Sequence, residues 1–359
     1  MRLVRLIRTC RSRLAIPSLI IASTACRDGS PPPASVATIA SDSASPAAIR
    51  VPLPGDGPWD HVVASSETRQ LYIAHDAHID VLDLDNQTLV AVLDSLPDVH
   101  GVALDIGAHR GYTSNGGDSS ITVFDTRSLR ALRRIHLKND APDGIVFDPA
   151  SRRVFAMHSS TPALSVIDVG PDTVRTSVAL GGSPDGGIPD GHGRLFVALK
   201  DRSELLVLDT HRLTIEHRWP LAPCAGPDAI AIDTLRARII LGCDSGTTVS
   251  VETATGAIHR GFAIGPRVDG VSIAGEMVLA STADGVVTIG RCRQDRCVIE
   301  GTIRTMRGSR TSALDERTMR LFVPYDVRLS PANIALVQSS TKGSSDGFGV
   351  QIVSIRRSR

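Results

Sequence analysis

The sequence predicts an all-β fold, a seven-bladed β-propeller built from four-stranded antiparallel blades. Three observations support this prediction. From residue 48 onward, strand-like apolar runs alternate with Gly, Asp and Pro turns, and no helical periodicity is present. A marker residue before an apolar run recurs seven times at intervals of 40 to 43 residues, which is the length of one propeller blade. Two further markers keep the same phase along the chain.

The main marker is a residue, usually Asp, that precedes a small residue and a Val or Ile. It occurs at Asp60, Asp143, Asp185, Asp228 and Asp269, and His100 and Arg310 occupy the two remaining places in the series of seven. Each stands where the first strand of its repeat, strand A, begins. Because strand A is innermost in a propeller blade, we expect the seven side chains to ring one mouth of the central channel.

The two further markers are an Asp that precedes a turn and an Arg, and an acidic residue that closes a Val-rich run. The first occurs as the pairs Asp105–Arg110, Asp148–Arg153, Asp190–Arg194, Asp233–Arg238 and Asp315–Arg320. The second occurs at Asp83, Asp125, Asp168, Asp209 and Glu252. Short Asp side chains accept hydrogen bonds from turn amides, which explains Asp at both places.

The second repeat shows the strand order within one blade. Its predicted strands A to D are residues 101–104, 111–114, 120–124 and 130–137. Strands this short and this close together leave no room for a crossover helix, so the sheets must be antiparallel.

The last repeat lacks a fourth strand of its own, whereas residues 49–53 precede the first strand A without a partner. We therefore expect residues 49–53 to pair with residues 348–355, strand C of the last blade. This closure removes an open sheet edge at the join, where another chain could otherwise pair.

The N-terminus predicts export. Residues 1–25 combine an Arg-rich start, an apolar run at 14–22 that is too short to span a bilayer, and small residues before Cys26. This layout resembles a bacterial lipoprotein signal, which implies lipidation of Cys26 and a periplasmic or surface location in the cell envelope. Ordinary cleavage that leaves Cys26 as a free thiol is the alternative. Residues 26–47, rich in Pro, Ser and Ala, predict a flexible tether to the propeller at 48–359.

A family resemblance is carried by residues 142–168. They read Pro-Asp-Gly-Ile, then Asp-Pro, Arg-Arg-Val-Phe-Ala and Leu-Ser-Val-Ile-Asp. This pattern resembles the YVTN-type β-propeller repeat family of secreted and surface proteins, and the resemblance extends over residues 48–359. It implies the propeller fold. For activity it implies binding, scaffolding or a few enzymatic roles on one frame.

The five carboxylates of the main marker allow two interpretations. Carboxylates around a narrow opening repel one another, and Ca²⁺, another divalent ion or a cationic ligand would relieve that repulsion. Alternatively, each Asp hydrogen-bonds backbone N–H groups of a neighbouring blade and serves the repeat itself.

Other polar side chains are expected at the same mouth, at the ends of the B strands. They are His75, Asn115, His158, Cys243, Ser281 and Tyr325. His61, His75, His78 and His100 come from the first two repeats and could approach one another to bind Zn²⁺ together with carboxylates. Exposed or hydrogen-bonded histidines are the alternative, since no HxH or HxxxH pair marks a preformed site.

Four cysteines predict disulfides in an exported chain. Cys292 and Cys297 bracket a short turn, and Cys224 and Cys243 flank strands A and B of the fifth repeat. The last repeat also carries a long B–C connection, residues 326–347. That connection is either a lid or docking arm, or plainly disordered.

The composition of the chain and the motifs that it lacks limit the possible classes of function. A net charge of +1 and 3% aromatic residues give no expectation of nucleic-acid binding. We find no catalytic or nucleotide-binding motif, and two tryptophans are too few for a quinoprotein propeller. We therefore expect a monomeric, envelope-tethered binding or scaffold module that holds a small ligand or a protein at its channel mouth. It would touch the membrane through the lipidated N-terminus alone. The alternatives are a metal-dependent, lactonase-like hydrolase and an accessory subunit of a periplasmic redox system.

Overall fold

The computed structural model describes residues 48–55, 57–138, 140–293, 296–329 and 347–356. The predicted signal, the tether with Cys26, and residues 330–346 of the long connection lie outside the described residues. Within the described ranges, no helix has both the length and the apolar character that a membrane crossing requires.

The described residues form seven four-stranded antiparallel sheets, which confirms the predicted seven-bladed propeller. After β1 (Ile49–Pro52), blade 1 consists of β2 (Trp59–Ser65), β3 (Gln70–His75), β4 (His78–Asp83) and β5 (Thr88–Leu93). Blade 2 consists of β6 (Val99–Asp105), β7 (Arg110–Asn115), β8 (Ser120–Asp125) and β9 (Arg130–His136). Blade 3 consists of β10 (Pro142–Asp148), β11 (Arg153–His158), β12 (Ala163–Asp168) and β13 (Thr173–Ala179). Each strand pairs with the next along the chain, as a repeat of short hairpins requires.

The remaining blades follow the same order. Blade 4 consists of β14 (Pro184–Pro189), β15 (Arg194–Leu199), β16 (Glu204–Asp209) and β17 (Thr214–Pro220), and blade 5 of β18 (Pro227–Asp233), β19 (Arg238–Cys243), β20 (Thr247–Glu252) and β21 (Ile258–Ala263). Blade 6 consists of β22 (Val268–Ala274), β23 (Met277–Thr282), β24 (Val286–Arg293) and β25 (Arg296–Arg304). Blade 7 consists of β26 (Ala313–Asp315), β27 (Arg320–Asp326) and β28 (Phe348–Ser354), together with β1. In the part of the chain that the structure describes, three 3₁₀ turns follow strands, namely Ile106–Ala108, Thr234–Arg236 and Val327–Leu329.

The hydrophobic core lies between the blades. Each pair of adjacent blades shares one cluster of buried side chains. Between blades 4 and 5, for example, Phe196 and Val207 pack with Leu241 and Val251. In blades 3 and 4, strands β11, β12 and β15 are buried on both faces and are mostly apolar, whereas β9, the outermost strand of blade 2, is mostly exposed.

In the five blades that carry the Asp–Arg marker, its Arg links the blade to the next one. Arg153 in blade 3 donates to the backbone oxygen of Thr210 in blade 4 at 2.6 Å, and Arg194 donates to the backbone oxygen of Thr253 in blade 5 at 2.8 Å. Arg110, Arg238 and Arg320 make the corresponding contacts to Asp172, the Cys292 backbone and the Leu84 backbone. This marker therefore serves the repeat and carries no information about a ligand.

The Asp residues of the turns act as expected from their side-chain length. Asp83 accepts hydrogen bonds from the amides of Asp85 and Asn86 at 2.8 and 2.7 Å. Asp209 accepts from the amides of His211 and Arg212. These bonds satisfy amides that the tight turn leaves without a ladder partner.

The ring closes as predicted. β1 pairs antiparallel with β28, and Ile49 to Pro52 stand opposite Ile352 to Gly349. The first strand of the propeller in sequence is thus the outermost strand of blade 7, whose order is β1-β28-β27-β26. Both expected cysteine pairs are disulfides, Cys224–Cys243 and Cys292–Cys297.

Candidate functional site at the channel mouth

A β-bulge in strand A positions the marker residues. In blades 1 to 6 the pairing of strand A with strand B shifts register at the marker. In blade 2, for example, Val99 pairs with Asn115 and Gly101 with Ser114, which leaves His100 unpaired. A bulged residue leaves the ladder and its side chain is re-aimed. Blade 7 differs because β26 begins at Ala313, so Arg310 precedes the strand.

The marker side chains line a cavity at one mouth of the channel. The mouth cavity has a volume of about 360 Å³. Its lining consists of Asp60, His61, Asp143, Asp185, Lys200, Asp228, Asp244, Arg267, Asp269 and Arg310. Six of the seven marker residues are in this list, and the seventh, His100, is hydrogen-bonded to Asp60.

A smaller space of about 240 Å³ lies next to the mouth cavity, along the A strands. It is lined mainly by glycine and aliphatic residues, and it shares His61, Asp228 and Asp269 with the mouth cavity. His61 therefore lies at the boundary between a polar vestibule and a mostly apolar channel.

Three marker carboxylates are neutralised by cationic side chains of the protein itself. His100 Nδ1 lies 2.7 Å from Asp60 Oδ2. Lys200 Nζ lies 2.7 Å from Asp228 Oδ2, and Arg310 Nε lies 2.5 Å from Asp269 Oδ2. These hydrogen bonds go to side chains, so the expected bonding of the marker carboxylates to backbone N–H groups does not describe these three.

Among the residues that the structure describes, the other two marker carboxyls, Asp143 and Asp185, make longer ion-pair contacts. Asp143 Oδ1 lies 3.9 Å from His100 Nδ1, and Asp185 Oδ1 lies 3.9 Å from Lys200 Nζ. Burial raises the pKa of Asp143. Burial, together with a hydrogen bond to Asp228, raises the pKa of Asp185 far above its usual range. The blade 3 and blade 4 side of the mouth therefore favours uncharged carboxyls or an incoming cation.

The two histidines of the mouth are more basic than free histidine. The hydrogen bond that His100 donates to the Asp60 carboxylate raises the pKa of His100 to about 9, so His100 is cationic at neutral pH. Burial alone would lower the pKa of His61, but the charges of Asp60, Asp269 and Asp143 outweigh it and the pKa is raised. The mouth thus carries charges of both signs, close to balance.

The residues expected at the ends of the B strands are not on the cavity wall. His75, Asn115, His158, Cys243 and Ser281 are fully buried, and Tyr325 is nearly so. Asn115, for example, donates hydrogen bonds to Ser120 and Thr122 within blade 2, and His158 bonds to Ser165 within blade 3. Their placement at the mouth is corrected here: these side chains lie within and between the blades.

The physical reason is the two-residue period of a strand, by which a step of one residue moves a side chain to the other side. Lys200 and Asp244 each come one residue after the end of a B strand, and both line the mouth cavity. The sequence analysis missed them, together with Arg267. Choosing the residue directly after the last residue of strand B, instead of that last residue itself, would have identified Lys200 and Asp244.

The four histidines of the first two repeats separate into two groups. His61 and His100 belong to the mouth, where both lie near Asp60. His75 and His78 contact each other with ring centroids 4.6 Å apart and ring planes tilted by 55°, and both lie near Asp80. Neither of these two lines the mouth cavity.

Comparison with known proteins supports the architecture. No family model matches the chain, and no curated protein matches it. Solved structures similar to it include the hydrazine synthase of Kuenenia stuttgartiensis, with a TM-score of 0.66, 15% identity and coverage of 76% of this chain and 94% of that one. The structure of U3-55K and the crystal structure of the RRP9 WD40 repeats each give a TM-score of 0.69, 12% identity and coverage of 87% and 99%. At these identities the similarity shows the fold alone.

Proposed function

We propose that this protein is an exported, envelope-tethered propeller of the YVTN type that binds a small ligand with a cationic group at its channel mouth, without catalysing a reaction. The propeller fold supports a binding or scaffold role in general. The finer statements rest on the charge pattern of the mouth and on the N-terminal sequence.

The observation that supports this ligand class is that the marker carboxylates differ in how closely the protein's own cations approach them. Asp60, Asp228 and Asp269 each have a cation of the protein within 2.7 Å. Asp143 and Asp185 have their cations at 3.9 Å, beyond hydrogen-bonding distance. An ammonium or guanidinium group at either of these two carboxyls would supply a cationic donor closer than His100 or Lys200 does.

The raised pKa values of Asp143 and Asp185 fit the same ligand class. A partly buried carboxyl that favours its neutral form is stabilised as a carboxylate when a cation arrives. For Asp185, whose pKa is raised to about 10, binding should therefore be accompanied by proton release at neutral pH. The balanced charges elsewhere in the mouth also suit a ligand with further polar groups, since Lys200, Arg267 and Arg310 line the same cavity.

The test uses the purified full chain and a matched pair of probes, putrescine and the isosteric neutral 1,4-butanediol. We expect putrescine to bind in isothermal titration calorimetry, with an affinity that falls as salt is added, and butanediol not to bind. The double substitution Asp143→Asn with Asp185→Asn should weaken putrescine binding at least ~10-fold, because a charge-assisted hydrogen bond is worth about 1.5–3 kcal/mol.

The matched control is Glu216→Gln, which removes an exposed carboxylate from β17, far from strand A in the same blade. It should bind putrescine as the unaltered protein does. Equal affinity of the double variant and the unaltered protein would overturn the proposal. Binding of Ca²⁺ in place of the amine, lost on Asp143→Asn, would overturn the ligand class and favour a metal site.

A further inference from the structure

We propose that His75, His78 and Asp80 form a binding site for a divalent first-row transition ion, for which Zn²⁺ is the probe. The site lies at the seam between blade 1 and blade 7 and is separate from the channel mouth. It does not depend on the proposed function of the mouth.

The strand pairing of blade 1 brings the three side chains together. His75 ends β3, His78 begins β4, and the two are directly opposite each other across the turn formed by Asp76 and Ala77. Directly opposed residues of an antiparallel pair project from the same face of the sheet. Asp80 follows His78 by two residues and so projects from that face as well.

The donor atoms are already close to the spacing that a metal ion needs. His75 Nδ1 lies 3.2 Å from Asp80 Oδ2, and His78 Nε2 lies 3.6 Å from Asp80 Oδ1. One donor atom from each of the three residues fits within 4.8 Å of the others. Around a tetrahedral ion with bonds of about 2.0–2.1 Å, donor atoms lie roughly 3.3 Å apart, so a small movement of His78 would complete the set.

The site contains buried polar atoms that lack partners. The side chains of His75 and Asp80 are 0% exposed. Among the residues that the structure describes, Asp80 Oδ1 has no hydrogen-bond partner, although it points towards His78 Nε2 at 3.6 Å. A buried carboxylate oxygen without a partner is costly. A bound cation would remove that cost, which is an observation independent of the donor spacing.

The surroundings form a partly closed pocket. The ring of Phe348 in blade 7 lies 3.9 Å from the His75 ring, centroid to centroid. Gly55 covers both imidazoles, because a side-chain carbon there would lie 3.3 Å from Cε1 of His75 and of His78. The His78 side chain is 17% exposed and leaves a route from solvent.

The donor set selects the class of ion. Two imidazole nitrogens and one carboxylate oxygen suit zinc and its first-row neighbours, whereas Ca²⁺ and Mg²⁺ prefer oxygen donors alone. Protons compete with a metal ion for an imidazole nitrogen, because the ligand must be unprotonated to bind the metal. Binding should therefore weaken as the pH falls below neutral.

The experiment titrates Zn²⁺ into the chelator-treated full chain after Cys10 and Cys26 have been alkylated, so that their thiols cannot bind the ion. We expect one ion per chain by calorimetry and elemental analysis, and a melting temperature that rises with zinc but not with Ca²⁺. The variant His78→Gln should fold, because its side chain is partly exposed, and should bind zinc at least ~100-fold more weakly.

His61→Gln is the discriminating control, because Asp60, His61 and Asp143 form a second group of possible ligands in the mouth. This variant should bind zinc as tightly as the unaltered protein. Loss of zinc binding in His61→Gln with retention in His78→Gln would place the ion in the mouth and overturn the proposal. Failure of the unaltered chain to bind zinc at micromolar concentration would overturn it too.

Discussion

At the scale of single residues, departures from the repeat explain the electrostatics of the mouth. Five marker positions carry Asp, and a ring of five carboxylates alone would repel itself. His100 and Arg310 occupy the other two positions, and each bonds to the Asp of the preceding blade, Asp60 and Asp269. Lys200, outside the marker, bonds Asp228. His100 and Arg310, which stand at marker positions in place of Asp, therefore act as counter-ions for Asp residues at other marker positions.

The His100–Asp60 pair should make stability depend on pH. The pKa of His100 is raised from 6.5 to about 9 in the folded protein, so its stabilising effect is complete below pH 6.5 and is lost as the pH rises through about 9. Relative to His100→Gln, the unaltered protein should be more stable at pH 6 by on the order of 1–2 kcal/mol, allowing for solvent screening. Urea unfolding at pH 6 and pH 10 measures this difference, which should nearly vanish at the higher pH.

The control for this measurement is His211→Gln, at an exposed turn, which should change the unfolding free energy little. A difference between His100→Gln and the unaltered protein that stays constant from pH 6 to pH 10 would show that the ion pair does not contribute.

At the scale of elements, the two disulfides cross-link very different lengths of chain. Cys224–Cys243 joins residues 19 apart and connects the segment before β18 to the end of β19. Cys292–Cys297 joins residues 5 apart at the tip of the β24–β25 hairpin. A cross-link that closes a longer loop restricts the unfolded chain more.

The longer cross-link should therefore stabilise the protein more. Replacing Cys224 and Cys243 by Ala should lower the unfolding free energy by about 3 kcal/mol, on the chain-entropy account of a loop of roughly 20 residues. The same replacement of Cys292 and Cys297 should cost less. Urea unfolding of the two double variants side by side measures the difference, and an equal or reversed order would contradict this account.

At the scale of the whole molecule, the ring is closed by one short strand. β1 contributes four residues to blade 7 and covers the edge of β28. Leu53, directly after it, is buried in the cluster shared by blades 7 and 1. Because the two ends of the propeller meet only at this blade, its outer strand joins the first and last parts of the fold.

Removal of this strand should open the ring. A chain that begins at residue 54 should be less stable than one that begins at residue 48 by at least about 3 kcal/mol, from the loss of Leu53 burial alone. It should also associate through the exposed edge of β28. Thermal unfolding and size-exclusion chromatography of the two chains test this, and identical melting temperatures would show that β1 is dispensable.

The sequence by itself determined the number of blades, the antiparallel pairing, the closure by residues 49–53 and the two cysteine pairs. These features are local or periodic. The chain repeats with an average spacing of about 42 residues, so each blade provides the same sequence signals again. It also placed Asp60, Asp143, Asp185, Asp228 and Asp269 around one axis, because equivalent positions of a ring must converge.

The tertiary structure alone decided which neighbours of those residues face the cavity. Cys243 and Asp244 are adjacent in the sequence, yet Cys243 is buried in the core and Asp244 lies on the cavity wall. Likewise, the pairing of Lys200 with Asp228 joins residues 28 apart in different blades. Such contacts depend on side-chain direction and on how the blades meet, and neither is repeated in the sequence in a form that spacing could reveal.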